Sequence, residues 1–97
     1  MRTLRITLSA SQDLDEISDY FLTQSINAGA NFVSAFEKKC RHLAQFPYIG
    51  KSYEAIRPNL RGLSLMGYII FYQVNEDSID IIRVVSGYRN MKNLFGN

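Results

Sequence analysis

Ninety-seven residues, 46% of them apolar and 21% charged, form one globular domain, residues 1–97, with a modest core and no space for a second unit. Eleven Lys and Arg against nine Asp and Glu leave a net charge of +2, too little to mark the whole chain as a polyanion binder. One cysteine, Cys40, and one histidine, His42, exclude an internal disulfide and any Cys- or His-rich metal site.

Residues 3–8, Thr-Leu-Arg-Ile-Thr-Leu, alternate, which predicts a half-buried strand with Leu4, Ile6 and Leu8 on its inner face. Ser9, with Gln12 three residues on, reads as a capping box that opens a helix reaching to about Gln24. Ala10, Leu14, Ile17, Phe21 and Leu22 share one arc of that helix, and Asp13, Asp15, Glu16 and Asp19 fall outside it as a solvated face. Ser25-Ile26-Asn27 is a short break, with Asn27 the expected N-cap of a second helix from about Ala28 to Gln45. Phe32, Val33, Ala35, Phe36, Cys40, Leu43, Ala44 and Phe46 cover about half of its circumference, wider than the stripe that one contact needs. The short link makes the two helices an antiparallel hairpin. Phe46-Pro47 ends the second helix, and residues 47–59, with Pro47, Gly50, Pro58 and Asn59, read as loop.

Three strand-like runs follow: Leu60–Leu65, Tyr68–Val74 and Ser78–Ser86, separated by Gly67 and by Asn75-Glu76-Asp77. Tyr68–Val74 is apolar on both faces and is expected to be central. The order β-α-α-β-β-β defines an α+β domain: an antiparallel sheet with a helical hairpin packed on one face. Phe21, Phe32, Phe36, Leu43, Phe71 and Ile82 are the expected core, with Tyr68 and Tyr72 on one face of the central strand. Cys40, on the apolar arc, reads as a buried small hydrophobe, and His42 as a surface residue. Gly50 and Gly87 are expected in turns that need positive φ.

A lone thiol suits a reducing cytoplasm, the expected location. No apolar run approaches the about 18–20 residues of a membrane span. The alternating N-terminus with Arg2 and Arg5 does not read as a signal peptide. The six glycines are scattered without a phosphate-binding loop, so neither cofactor nor metal is expected. Charge is unevenly placed. Residues 1–37 carry two bases and five acids, and residues 38–97 carry nine bases and four acids.

The motifs are Asp13-Leu14-xx-Ile17-xx-Tyr20, Phe46-Pro47-xx-Gly50-Lys51, Pro58-Asn59-Leu60-Arg61-Gly62, Gly67-Tyr68-xxx-Tyr72 and Ile82-Arg83-Val84-Val85-Ser86-Gly87-Tyr88-Arg89-Asn90. In this order, and over nearly the whole chain, they resemble the ParE/RelE superfamily of bacterial toxins from type II toxin–antitoxin modules. The resemblance implies the same β-α-α-β-β-β fold and one of two activities. RelE-like members cut mRNA on the ribosome; ParE-like members poison DNA gyrase. The layout is more similar to ParE, although Ser86 and Asn90 stand where ParE-like toxins often carry His and Asp.

Cleavage from a 2′-hydroxyl requires a base, an acid and cations on the transition state. Carried over residue by residue, the RelE-like arginine after Gly-Tyr falls on Ile69, and the tail tyrosine falls on Phe95. The lysine positions fall on apolar, glycine or serine residues around Leu60–Ser64, apart from Arg61, and the arginine after the last strand remains as Arg89. The resemblance therefore implies a binding toxin with no catalytic residues, a small ParD-like antitoxin as partner and DNA gyrase as target. Membrane contact and specific nucleic-acid binding by the toxin alone are not expected. Two alternatives stay open: an endoribonuclease built from Lys51, Arg57, Arg61 and Arg89 with Tyr68 or Tyr88, and a degenerate toxin that only binds antitoxin.

Arg61, Arg83, Tyr88, Arg89 and Lys92 are the candidate target-binding residues, clustered on the later strands and tail. Their ordinary alternative is to flank strands and pair with Asp77 or Asp80. Leu22, Ala28, Gly29 and Ala35 are the candidate antitoxin-binding residues. They widen the apolar arcs, or are small enough to admit an amphipathic antitoxin helix along the hairpin.

Overall fold

The computed structural model describes residues 2–87. In chain order it contains β1 (Thr3–Ile6), α1 (Leu8–Gln24), α2 (Ile26–Gln45), β2 (Lys51–Ser52), β3 (Leu60–Leu65), β4 (Tyr68–Val74) and β5 (Ser78–Ser86). The expected α+β architecture is present, with one short strand, β2, inside the segment expected to be loop. The sheet order is β1-β5-β4-β3-β2. β2 to β5 pair antiparallel, but β1 lies parallel to β5, so the sheet is mixed. The helical hairpin carries the chain away from β1, and the meander returns β5 to its side. Strand alternation marks an inward face but names no neighbour.

The helix starts differ from the expected ones by two residues. The Thr7 hydroxyl, not Ser9, caps α1, accepting from the Ala10 N–H at 3.2 Å. The same hydroxyl lies 2.9 Å from the Ile81 carbonyl oxygen, so one residue ends β1 against β5 and opens α1. Leu8 consequently belongs to α1 and is 75% exposed, and Ile6 also faces solvent; only Leu4 of the alternating run packs on the core. Between the helices a single extended residue, Ser25, ends α1 by donating to the Phe21 carbonyl and caps α2 by accepting from the Ala28 N–H at 2.9 Å. Asn27 is inside α2.

The core has two parts. On the helix side, Ala10, Ile17, Phe32, Phe36 and Leu43 meet Leu65, Ile70, Tyr72, Ile79, Ile81 and Val84. On the other face, Leu60, Phe71 and Val85 gather Tyr53, Ile56, Ile69 and Ile82. Of the expected core, Phe32, Phe36, Leu43 and Phe71 are buried, and Phe21 and Ile82 are half-buried. Ile82 falls at a bulge: Phe71 pairs with Arg83 and Tyr72 with Ile81, leaving Ile82 unopposed.

The β3–β4 hairpin closes through Met66 (φ 49°) and Gly67 (φ 83°). Two-residue loops of this kind need positive φ at both positions, which Asn and Gly adopt most easily. Met66 is half exposed, so its side chain contributes little packing. Met66→Asn is therefore expected to stabilise the fold by about 1 kcal/mol. In thermal melts that is a rise of about 4–8 °C.

Candidate functional site

The two candidate cations within the described residues are both engaged. Arg83 donates from Nε to Asp13 Oδ2 at 2.7 Å and from Nη2 to Oδ1 at 3.0 Å. The Val84 N–H donates to the same Oδ2 at 3.0 Å. The side chains are 25% and 13% exposed, so the pair is partly buried. The bond to Asp13 also holds the Arg83 guanidinium above its ordinary pKa. The cause is topological. β1 ends at Ile6, opposite Ile81, so β5 beyond that point has an open edge; α1 crosses there, and Asp13 takes the edge N–H. Asp13 is thus an anchor within the acidic run that reads as solvated, while Asp15, Glu16 and Asp19 are exposed. The expected partners Asp77 and Asp80 do not hold Arg83. Asp80 belongs to Arg5, whose hydrogen bond at 2.8 Å draws its carboxyl below the ordinary carboxylate value.

Arg61 serves the turn between α2 and β2. Its Nη1 donates to the carbonyl of Tyr48 at 3.1 Å and of Gly50 at 2.7 Å, and its guanidinium lies 5.1 Å from the Tyr48 ring centroid. Beneath it, the Tyr72 hydroxyl accepts from the Gly50 N–H at 2.9 Å and donates to the Pro47 carbonyl at 2.9 Å. Tyr72 is fully buried, and burial raises its phenol pKa. Gly50 does not have the expected positive φ, and neither does Gly87. Gly50 is required by crowding instead: a Cβ there would lie 2.5 Å from the Tyr72 hydroxyl and 2.8 Å from the Gly62 carbonyl oxygen. Tyr88, Arg89 and Lys92, and with them Phe95, lie outside the described residues.

Across the molecule, α1 and α2 leave an apolar groove of about 430 Å³ on their outer side. Leu22, Ile26, Gly29, Ala30 and Val33 line it, with Ser18, Ser34 and Glu37 at its margins. Ile26 is 80% exposed, Leu22 50% and Val33 45%, a concentration of apolar surface that the core does not use. Gly29 sets its depth: a Cβ there would stand 2.6 Å from Leu22 Cδ2. Of the four residues expected to face the antitoxin, Leu22 and Gly29 line the groove. Ala28 is half-buried outside it, and Ala35 packs against the core. Ile26 and Ala30 are the lining residues that the pattern missed. Ile26 reads as part of a break, because the single-residue link at Ser25 has no signature distinct from a three-residue one.

The position where the resemblance implies a nuclease arginine is apolar in its setting as well as its identity. Ile69 is half-buried against the Leu60, Phe71 and Val85 cluster. Tyr68 is likewise packed, edge-on to Phe21 and Phe32 at 6.3 and 6.0 Å. His42 is exposed in the last turn of α2, edge-on to Phe46 at 5.3 Å. Among the described residues, no three His, Cys, Asp or Glu side chains gather where they could hold a metal, and no helix is long and apolar enough to cross a membrane.

Cys40 is half-buried against the core. Burial, with a smaller contribution from Glu37, pushes its thiol up to about 11. An unfolded thiol ionises near about 8.5. Between about 8.5 and the raised value the unfolded chain has lost this proton and the folded chain keeps it, so stability falls as pH rises. Urea titrations at pH 7.5 and pH 10 are expected to show a smaller loss for Cys40→Val than for the parent chain. Native Cys40 is also expected to resist iodoacetamide at pH 8.

The chain thus combines a mixed sheet, a two-helix element on one face and an apolar groove on the outside of those helices. A solved structure described as the chromosomal ParDE TA system from P. aeruginosa shares the fold, with a TM-score of 0.74 at 24% identity over 89% of this chain and 96% of that one. Toxin ParE3 of Caulobacter vibrioides is 26% identical over 86 residues, 88% of this chain and 86% of that protein. The family model described as "ParE toxin of type II toxin-antitoxin system, parDE" matches residues 4–91. The chain belongs to this ParE toxin family and is the toxin component of a parDE-type module.

Proposed function

We propose that this toxin acts by binding and poisoning DNA gyrase, without cleaving RNA, in the cytoplasm where gyrase works, and that a ParD-like antitoxin neutralises it. The observation that carries this reading is Ile69. Cleavage needs a cation facing the scissile phosphate; the resemblance puts Ile69 at that position, and Ile69 packs into an apolar cluster. Arg83 is held by Asp13, and Arg61 commits Nη1 to two turn carbonyls while keeping Nε and Nη2, an arrangement that supports binding over chemistry. Arg61, Arg83, Tyr88, Arg89 and Lys92 remain the proposed target-facing set. Arg61 and Arg83 there act as much by holding the surface as by touching the target.

Purified toxin is expected to inhibit gyrase supercoiling and to accumulate cleaved DNA complexes. Primer extension on ribosome-bound mRNA is expected to show no new cuts. Codon-specific cuts with gyrase unaffected would promote the endoribonuclease alternative. Antitoxin binding with neither activity would mark a degenerate toxin.

The groove between α1 and α2 supports an amphipathic antitoxin helix as its occupant, because its walls are apolar and its length follows two helices. Val33→Glu would place a charge without a partner in that interface. Calorimetry is expected to show antitoxin affinity reduced by about tenfold or more. Thermal stability should be unchanged, since Val33 is 45% exposed in the toxin.

A further inference from the structure

The turn between α2 and β2 is fixed from beneath and apolar on top. Its carbonyls at Pro47, Tyr48 and Gly50 all accept from Tyr72 or Arg61, and the Gly50 N–H donates to Tyr72. Tyr72 is fully buried, so the turn is tied directly to the core. Yet Phe46, Tyr48 and Ile49 are 53%, 59% and 42% exposed. Folding gains little from these side chains in water. The entropy that a contact would have to remove from the turn has already been removed by these bonds. A pre-ordered turn that presents an aromatic ring is the composition and state of an interface anchor.

The charge around the turn indicates what it meets. Two guanidiniums flank the Tyr48 ring, Arg2 at 5.7 Å and Arg61 at 5.1 Å from its centroid. Arg2 spends Nε on the Asn75 carbonyl, and among the described residues neither arginine has a carboxylate partner. Most of their N–H donors are thus open to an incoming acid. The turn also lies at the far end of α2 from the groove, about 20 Å along the helix from Val33 at 1.5 Å per residue.

We infer that the Phe46–Ile49 turn, with Arg2 and Arg61 around Tyr48, is a second contact surface of the toxin, fitted to a protein surface that offers an apolar pocket rimmed by carboxylates. Resting on the gyrase reading, that partner is gyrase, and an antitoxin helix in the groove leaves the turn open. Tyr48→Ala removes the ring, Tyr48→Phe keeps it, and Arg2→Glu reverses one flanking charge. In a supercoiling assay, Tyr48→Ala and Arg2→Glu are expected to lose about tenfold or more in potency, and Tyr48→Phe to retain it. Antitoxin affinity should match the parent chain in all three, and melting temperature in the two Tyr48 variants; Arg2→Glu also loses its bond to the Asn75 carbonyl and is assayed at a temperature where it is folded. Parental potency in folded Tyr48→Ala would overturn the inference and leave the gyrase reading standing. If the parent toxin does not inhibit gyrase, that reading fails, and growth arrest on induction decides the surface. Loss of arrest in Tyr48→Ala, at equal folded protein, upholds an acidic protein target of another kind; retained arrest overturns the inference. A parent chain that neither inhibits gyrase nor arrests growth overturns both.

Discussion

Asp13→Ala is expected to lower the unfolding free energy by about 3 kcal/mol, because it leaves a partly buried guanidinium and a strand N–H without their acceptor. Three hydrogen bonds between 2.7 and 3.0 Å converge on this carboxylate. They tie α1 to the part of β5 that β1 does not reach. For a chain of this length each kcal/mol is worth about 4–8 °C, so the melting temperature should fall by more than about 10 °C. Asp15→Ala, on the exposed side of the same helix, should change it by little. A double-mutant cycle with Arg83→Met separates the ion pair from the bond to Val84. If the coupling is near zero, the cost lies in the strand edge and not in the pair. A fall in toxicity of Arg83 variants is then to be judged only at temperatures where the variant is folded.

Phe32→Ala is expected to cost more, about 3–5 kcal/mol, a large share of the roughly 5–15 kcal/mol that holds a domain together. Phe32 is 1% exposed and stacks on Phe21 with ring centroids 5.3 Å apart, while Tyr68 meets it edge-on at 6.0 Å. Its loss leaves a cavity where α1, α2 and β4 meet, and rings on three elements cannot close on it together. Phe21→Ala should cost less, since Phe21 is only half-buried. Equilibrium urea unfolding of the two variants checks the order; a Phe32→Ala cost near 1 kcal/mol would mean that this junction repacks.

Much of the fold is legible in local pattern. The arcs of α1 and α2, the three-strand run and the buried Tyr72 all follow from the spacing of apolar residues, because helix and strand periods place side chains before any partner is chosen. The caps are less legible. Ser9 and Asn27 match capping preferences, but Thr7 and Ser25 do the work, because each satisfies two elements at once. The candidate target-binding cations are legible only as charges, since their engagement depends on partners elsewhere in the chain.

For this toxin the sequence by itself determined the order of the longer elements, all but β2, which face of each helix is apolar, and the family to which the chain is similar. The elements and their faces rest on residues within about one or two turns of one another, where backbone geometry alone sets direction, and the family likeness rests on motifs in order along the chain. Only the tertiary structure decided that β1 runs parallel to β5, that Arg83 takes Asp13 instead of Asp80, and that Ala35 faces inward while Ile26 and Val33 face out. Arg83 and Asp13 are 70 positions apart. All nine acids of the chain carry the same charge, so the choice among them falls to the strand register and the crossing of α1, which bring one carboxylate to 2.7 Å and leave the rest in solvent or with other partners.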